Sequence, residues 1–298
     1  MLFDCAIIGG GPAGLNAALV LGRAKRNVVL FDDNQPRNAV TQESHGFLTR
    51  DGVEPNEFRN IAHQEISRYP SVAIRPIRIT DVSNYEDSFE LVASDGTTFD
   101  SKTVILATGL KETLPAVEGI SDYYGKSIFG CPYCDGWERR DQPLLVISET
   151  PHAFQYTTII WNWSRDLLLC TNGHQILTRE QKEKLQKKEI QVFEDSIAVL
   201  VGKNGMLERV VFSTGEEVAR TGGFMTVQWT QAAPFASLLG CNLNEMGGPT
   251  IDMLGRTSVK GVYAAGEVTL PSQLIVSAAQ GSAAAAGVNT DLIQSEFM

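Results

Sequence analysis

The chain has 298 residues, of which 43% are hydrophobic and 20% are charged. This balance excludes a disordered protein and favours two domains of ordinary size. The 35 acidic residues outnumber the 25 basic ones and give a net charge of −10, which argues against binding to nucleic acid or to anionic membrane surfaces.

The cysteine content and the apolar runs bear on the compartment. No apolar run approaches the length of a membrane span, and the N-terminus enters a predicted strand without a charged leader. Five cysteines, an odd number, do not form the disulfide framework of a secreted protein. Cys170 and Cys241 are isolated in the sequence, so they supply no zinc ligands at short spacing from another cysteine pair. We therefore expect a cytoplasmic protein without a metal site and without membrane association.

The first predicted elements are an apolar strand over residues 2–8 and a helix over residues 15–23. Between them lies a turn with the GxGxxG pattern of dinucleotide sites, formed by Gly9, Gly11, Pro12, Ala13 and Gly14. In this pattern the first glycine permits the tight turn, the second lets backbone approach a pyrophosphate, and the third lets the helix pack on the strand. The helix N-terminus also presents N–H groups and a positive dipole end to phosphate.

The next predicted strand, residues 27–31, ends at Asp32, eighteen residues after Gly14. A carboxylate at this position accepts hydrogen bonds from an adenosine ribose. Asp32 and its neighbour Asp33 are therefore assigned to the cofactor site.

Beyond them, residues 75–82 and 88–93 alternate apolar and polar side chains, which predicts a small antiparallel sheet.

A paired-thiol motif, CPYCD, occupies residues Cys131 to Asp135. Thiols beside a bound redox cofactor indicate two-electron exchange between that cofactor and a disulfide. Two intervening residues make a small ring, so oxidation needs little backbone movement, and a helix beginning there would lower a thiol pKa. A buried structural cysteine pair is the alternative interpretation.

Three further strand predictions follow the pattern of buried parallel strands: residues 103–109, 144–147 and 257–267. The last is followed by an alanine-rich helix over residues 271–287. A charged helix over residues 178–188 has threonine at its expected N-cap.

Together these motifs resemble the low-molecular-weight thioredoxin reductase group of flavoproteins over essentially the whole chain. The resemblance implies an α/β fold with two Rossmann-like domains, each a three-layer ββα arrangement. The FAD-binding domain would be discontinuous, residues 1–113 and 242–298, and a smaller domain carrying the CxxC pair, residues 114–241, would be inserted into it. The resemblance also implies a homodimer.

The resemblance extends the cofactor site to FAD and to further residues of the larger domain. They are Arg37, Asn38, His45, Ile79, Ala107, Thr108, Gly109, Gly266, Glu267, Gln273 and Leu274. Ser272 stands where the family has arginine, and Glu267 where it has aspartate. We expect FAD binding to survive both changes. His45 is a candidate proton shuttle at the flavin ring, with a satisfied loop histidine as the alternative.

The resemblance also assigns roles to the thiol motif. Cys134 would lie against the flavin, Cys131 would attack the disulfide of the partner, and Asp135 would give or take the proton of the leaving thiol.

The NADPH site of the family is where the pattern fails. The family has GxGxxA at positions 148–153, whereas this chain has Ser-Glu-Thr-Pro-His-Ala. Both glycines are absent, Pro151 has no N–H to donate, and Glu149 adds negative charge. No arginine pair follows the strand predicted over residues 166–170. Two alternatives are a nucleotide bound in another pose and an alignment shifted across residues 161–163. The aromatic residues Phe154, Tyr156, Trp161 and Trp163 are interpreted as core or domain-interface packing, with a stacking surface for a second ring system as the alternative.

These observations predict an FAD-dependent disulfide oxidoreductase whose partner is a thioredoxin-like protein or a small disulfide or dithiol. Its electron donor would differ from classically bound NADPH, as in ferredoxin-dependent flavin thioredoxin reductases, although the charge of −10 is unfavourable for an acidic ferredoxin. One alternative is an oxygen-dependent dithiol oxidase, a group that tends to place histidine beside the thiols. The other is a flavin-binding redox sensor without turnover.

Overall fold

The computed structural model describes residues 1–85 and 87–298, with the side chain of Asn38 outside the described part. The strands in chain order are β1 Leu2–Phe3, β2 Cys5–Ile8, β3 Val28–Phe31, β4 Val72–Arg75, β5 Ile79–Tyr85, β6 Ser88–Ala93, β7 Thr98–Ser101, β8 Val104–Leu106, β9 Leu110–Thr113, β10 Ile128–Phe129, β11 Leu144–Ile147, β12 Leu167–Cys170, β13 Gln191–Phe193, β14 Ile197–Lys203, β15 Met206–Phe212, β16 Glu217–Ala219, β17 Gly222–Met225, β18 Gln228–Gln231 and β19 Val262–Ala264. The α-helices are α1 Pro12–Arg23, α2 Pro55–Ile66, α3 Ile120–Tyr123, α4 Pro132–Asp135, α5 Ala153–Ile160, α6 Arg179–Gln186, α7 Phe235–Leu238 and α8 Leu274–Phe297, and 3₁₀ turns cover Arg37–Val40 and Gly266–Val268.

The first of two compact units comprises Met1–Ala39, Gly46–Lys111 and Trp229–Met298. A parallel sheet of order β19-β8-β2-β3-β4 lies at its centre, and a second sheet has the order β1-β7-β6-β5. The central strands β2, β3, β8 and β19 are buried along their whole length, which explains why their sequences are unbroken apolar runs.

Helices α1 and α8 pack closely on one another within this first unit. A Cβ added to Gly281 would lie 2.0 Å from the carbonyl oxygen of Ala13. The Asn16 side chain donates a 2.7 Å hydrogen bond to the carbonyl of Ala278. The alanine and glycine content of α8 is therefore a packing requirement, because larger side chains would separate the two helix backbones.

The strand predicted over residues 2–8 is divided in the structure between two sheets. Leu2–Phe3 pairs with β7, whereas Cys5–Ile8 pairs with β3 and β8. Asp4 lies at the division, and its carboxylate accepts hydrogen bonds from the Lys102 ammonium at 2.8 Å and from the Asn27 amide at 3.0 Å. A charged side chain that needs these partners interrupts the buried run.

The second unit comprises Val40–His45 and Glu112–Gln228. Its parallel sheet has the order β10-β17-β11-β12-β13, and an antiparallel sheet has the order β14-β15-β16. Alternate residues of β11 enter two different apolar clusters, with Leu145 and Ile147 in one and Leu144 and Val146 in the other. Each unit thus contains helices, a parallel sheet and a second sheet, which is mixed in the first unit, where β1 runs parallel to β7, and antiparallel in the second unit. This arrangement confirms the predicted fold class.

The predicted domain limits, 113/114 and 241/242, stay a prediction. The compact units of this structure change at 111/112 and 228/229, and residues 40–45 belong to the second unit. Strand β9 contains the boundary at 111/112 and strand β18 contains the boundary at 228/229. These two strands pair with each other in a two-stranded sheet.

The three cysteines outside the CxxC motif are buried in these cores. Burial raises the pKa of Cys5 to about 12 and also raises the pKa of Cys170 and Cys241. Their thiols are therefore protonated at neutral pH and poorly nucleophilic.

Candidate functional site

The glycine-rich turn of the first unit has the geometry that its pattern predicts. Gly9 has a φ of +116°, and a Cβ there would lie 2.2 Å from the carbonyl oxygen of Ala107. A Cβ on Gly14 would lie 1.9 Å from the carbonyl oxygen of Gly9, whereas one on Gly11 would meet nothing within 4 Å. Two of the glycines are required by close packing, and Gly11 borders open space in front of helix α1.

The parallel sheet brings the predicted cofactor residues to one edge. The carboxyl ends of β19, β8, β2 and β3, four neighbouring strands, lead respectively into Gly266 and Glu267, into Ala107 to Gly109, into the glycine-rich turn, and into Asp32. Ligands of open parallel sheets bind at this edge. Ile79 lies at the start of β5 and is buried.

Asp32 is held by a residue that the sequence analysis missed. The carboxylate accepts a hydrogen bond from the Arg59 guanidinium and one from the Asn34 amide at 3.0 Å, and both charged side chains are 10% exposed. His63 lies near this pair, its Nε2 atom is buried without a hydrogen-bond partner, and burial lowers its pKa. Arg59 and His63 are four residues apart and therefore lie on one face of α2. This spacing was the sequence signal that could have indicated a polar face near Asp32. Asp33 accepts from the Gln35 amide at 3.1 Å.

Arg37 and Glu267, both predicted to contact cofactor, are paired with each other. The guanidinium donates to the Glu267 carboxylate at 2.9 and 3.1 Å and lies 5.0 Å from the ring centre of Trp229. The prediction for Asn38 lies outside the described side chains. Gln273 is the N-cap of α8 and Leu274 is its first residue.

These features fit a bound dinucleotide such as FAD. The open space beside Gly11 and beside Gly109, where a Cβ would meet nothing within 4 Å, leaves room for a ligand against backbone. Helix α1 has no side-chain cap at its N-terminus, so its first N–H groups are available to a pyrophosphate.

Cys131 and Cys134 form a disulfide in the second unit, with their Cα atoms 5.3 Å apart. The bond spans the single helical turn α4, which Pro132 begins. Behind this turn, a Cβ on Gly136 would lie 2.8 Å from the Trp163 ring, and the Tyr133 ring packs edge-on against Trp163 at 5.4 Å. The turn is therefore supported by an indole that leaves no room for a larger residue at position 136.

Asp135 follows the disulfide directly and is an unusual acid. Burial, and next the negative charge of Glu138, raise its pKa to about 7, and the charges of His45 and Arg139 partly oppose this rise. A carboxyl with this pKa can both donate and accept a proton at neutral pH. This property suits a group that serves a leaving thiol.

His45 belongs to the second unit, in the short segment Val40–His45. Its Nε2 atom lies 3.6 Å from a carboxylate oxygen of Glu43 and 3.7 Å from one of Glu138. The structure therefore groups His45 with the acids beside the thiol turn. Its predicted role at a flavin ring stays a prediction.

The turn after β11 differs from the glycine-rich turn of the first unit. Ser148 is fully buried, and its hydroxyl lies 3.4 Å from that of Thr150 and 3.2 Å from that of Thr226. Ser148 lacks the positive φ that Gly9 has. The Glu149 carboxylate accepts a 2.6 Å hydrogen bond from the Asn172 side chain.

The aromatic cluster near this turn has separate contacts. The Tyr156 hydroxyl donates to the carbonyls of Gly130 and Met225, both at 3.1 Å, so helix α5 is bonded to the residue before Cys131. Trp161 lies under the guanidinium of Arg165 at 3.5 Å. In the second unit these rings act as packing groups.

Within residues 1–85 and 87–298, no three His, Cys, Asp or Glu side chains come together as a metal site. Among the helices described, none combines the length and apolarity needed to cross a membrane.

Comparison with known proteins identifies relatives over the whole chain. The model of a family described as pyridine nucleotide-disulphide oxidoreductase matches residues 3–285. Thioredoxin reductase aclD of Aspergillus oryzae is 30% identical over 98% of this chain and 96% of its own length. A relative from Arthroderma benhamiae is 38% identical over 57% of this chain, which spans 44% of that protein. The crystal structure of TrxB from Bacillus anthracis is 45% identical, covers 99% of both chains and superposes with a TM-score of 0.95.

Proposed function

This chain belongs to the pyridine nucleotide-disulphide oxidoreductase family, and we propose that its Cys131–Cys134 pair passes electrons to a thioredoxin-like disulfide from a donor other than classically bound NADPH. It is a thioredoxin reductase-like disulfide oxidoreductase, and the cofactor of this group is FAD. Bound FAD would supply a two-electron store. The residues for it are those at the edge of the first unit's sheet, with Gly11 and Gly109 facing open space.

The observation that carries the donor proposal is the turn after β11. A nucleotide pyrophosphate needs close approach to backbone N–H groups. Here the first glycine position is the buried Ser148, whose hydroxyl lies 3.2 Å from that of Thr226. Pro151 removes one N–H donor. The Glu149 carboxylate, bonded to Asn172, adds negative charge to the same loop.

The protein's own thiols carry the exchange. A thiolate at Cys131 attacks the partner disulfide, one partner sulfur leaves with the electron pair of the broken bond, and Asp135 supplies its proton. Cys134 then displaces the partner from Cys131 and restores the disulfide. The alternative partner is a small disulfide or dithiol, and reduced ferredoxin is one candidate donor. The family resemblance also leads us to propose a homodimer, and the cysteine content leads us to propose a cytoplasmic location.

Anaerobic spectrophotometry of the purified holoprotein tests the proposal. NADPH, reduced ferredoxin and a dithiol are mixed with it in turn, and loss of flavin absorbance identifies the donor. Reduction of the flavin by micromolar NADPH is expected to be slow in the wild type and faster in the double variant Ser148→Gly/Thr150→Gly. Rapid, complete bleaching of the wild type by NADPH would overturn the proposal.

A second candidate function is an oxygen-dependent dithiol oxidase, in which electrons flow from a substrate dithiol to oxygen. The observation that favours it is His45, which lies 3.7 Å from Glu138 beside the thiol turn, because a histidine there can take protons from a substrate dithiol. Oxygen consumption driven by dithiols, and absent when NADPH or reduced ferredoxin is the donor, would select this function.

A further inference from the structure

Helix α5 and the turn that follows it contact the chain on both sides of the disulfide. Before the disulfide, the Tyr156 hydroxyl donates at 3.1 Å to the carbonyl of Gly130, the residue that precedes Cys131. After it, the indole of Trp163, three residues beyond the end of α5, lies against Gly136, where a Cβ would be 2.8 Å from the ring. One short segment of the chain therefore holds both flanks of the disulfide.

The Tyr156 hydroxyl joins two strand ends at the first flank. It also donates to the carbonyl of Met225 at 3.1 Å, so its one hydrogen is shared between two acceptors. Met225 ends β17, and Gly130 follows β10, which pairs with β17 in parallel. Burial raises the pKa of the phenol far above neutrality, so the hydroxyl remains a donor at working pH. Loss of the hydroxyl would leave both carbonyls without this hydrogen bond.

Trp163 holds the second flank through its ring and its backbone. The ring packs edge-on against that of Tyr133, which lies between the two cysteines in the sequence, with 5.4 Å between ring centres. The carbonyl of Trp163 accepts a 2.9 Å hydrogen bond from the Asp141 amide. The Gly136 amide donates to the Pro132 carbonyl at 2.9 Å, and this bond closes the helical turn against the indole. Trp163 therefore contacts both the thiol turn and the segment that leaves it.

We propose that Tyr156 and Trp163 form a clamp that keeps Cys131 and Cys134 within bonding reach when the pair is reduced, and that the clamp thereby sets the reduction potential of the pair. Both are positioning residues, since they act on the backbone beside the thiols. The inference rests on the proposed exchange at these thiols, and it holds whichever donor reduces them.

The clamp acts on the reduced state, because a formed disulfide already limits the separation of the two cysteines, whose Cα atoms are 5.3 Å apart. In the dithiol, held flanks restrict the arrangements that the two thiols sample. Closure of the bond then costs less conformational entropy. Release of either flank therefore favours the dithiol, raises the reduction potential and slows closure.

The chemical step that the clamp assists is resolution of the mixed disulfide between Cys131 and the partner. The Cys134 thiol loses its proton, and its sulfur bonds to that of Cys131 as the bond between Cys131 and the partner breaks. The partner sulfur leaves with the electron pair of that bond and takes up a proton. Over the whole exchange one dithiol is oxidised and one disulfide is reduced, with no other reactant. If Cys134 is less often within reach of Cys131, the mixed disulfide persists longer.

The test measures the dithiol–disulfide equilibrium of the holoprotein without donor or protein partner. The protein is equilibrated anaerobically in mixtures of reduced and oxidised dithiothreitol, quenched with acid and alkylated, and mass spectrometry gives the oxidised fraction of the peptide that contains both cysteines. Tyr156→Phe and Trp163→Phe should each weaken the disulfide about three- to tenfold, which raises the reduction potential by about 15–30 mV. The mixed disulfide formed with bis(2-hydroxyethyl) disulfide should persist longer by a similar factor.

The matched control is Tyr85→Phe, which removes a phenol hydroxyl from an exposed ring of the first unit and should keep the wild-type potential. Each variant must keep its flavin absorbance, and Tyr156→Phe decides the question if Trp163→Phe does not fold. A potential equal to or below that of the wild type in either folded variant would overturn the clamp. That result would leave the proposed function intact, whereas rapid bleaching by NADPH would overturn the proposed donor and leave these potentials unaffected.

Discussion

Replacement of Asp135 by asparagine should stabilise the protein at alkaline pH and reduce its exchange activity. Burial is the largest cause that raises the pKa of this carboxyl from 3.8 to about 7. Between these two values the folded protein binds more protons at Asp135 than the unfolded chain does, so stability falls as the pH rises. Each pH unit corresponds to about 1.4 kcal/mol, and ionisation of Asp135 therefore costs at most about 4 kcal/mol above pH 7. Partial contact with water reduces the expected gain in Asp135→Asn to about 2–3 kcal/mol at pH 8.

The assay compares thermal unfolding midpoints of the oxidised protein at pH 4 and pH 8. Asp135→Asn should lie close to the wild type at pH 4, where Asp135 is neutral in the folded protein, and should unfold several degrees higher at pH 8. Exchange activity should fall by about a hundredfold. The control is Asp141→Asn, at an exposed acid of the second unit, which should change neither the pH dependence of the unfolding midpoint nor the exchange activity. A midpoint difference that is the same at both pH values would refute burial as the cause of the raised pKa.

Three further sets of substitutions test the glycine-rich turn, the pairing of Asp32 with Arg59, and the cap of helix α6. Gly14→Val should abolish flavin binding and folding, because a Cβ there would lie 1.9 Å from a backbone oxygen, whereas Gly11→Ala should fold and only weaken FAD binding, as measured by titration of the apoprotein. Arg59→Met should lower the free energy of unfolding, measured in urea, by about 3–5 kcal/mol, because it leaves the buried charge of Asp32 without its ion-pair partner. A second change, Asp32→Asn, should recover most of this loss. Thr178→Ala should lower the free energy of unfolding by about 1 kcal/mol, because the Thr178 side chain caps α6 in a capping box. Thr178→Ser keeps the capping hydroxyl and should retain the wild-type stability.

The sequence allowed the parallel strands and the main helices to be predicted because each signal was local. The run Leu144–Ile147 matches the observed strand, and the threonine cap of α6 is present. The alanine-rich helix was predicted to end at residue 287 but continues to Phe297, since no helix-breaking residue follows. The strand over residues 2–8 was wrong in its continuity, because the partners of Asp4 are Asn27 and Lys102, which are distant in the chain.

Motif spacing predicted the residues of the glycine-rich turn, which lies at one edge of the first unit's parallel sheet. It also predicted the thiol pair, which forms a disulfide in the structure. The electrostatic surroundings of these residues were less accessible. The pairing of Asp32 with Arg59, and the grouping of His45 with Glu138, join segments whose proximity depends on tertiary folding. No local pattern marks an interaction between residues 45 and 138.

The contact between α1 and α8 has a consequence for synthesis of the chain on the ribosome. Helix α1 is made within the first two dozen residues, yet the backbone against which it packs includes Gly281. The face of α1 that packs on α8 stays uncovered until synthesis has passed residue 281. The segment Glu112–Gln228 is complete well before then and can fold while the N-terminal part is still unfinished. Truncation near the C-terminus should therefore leave the nascent N-terminal segment, rather than the thiol-bearing one, dependent on chaperones.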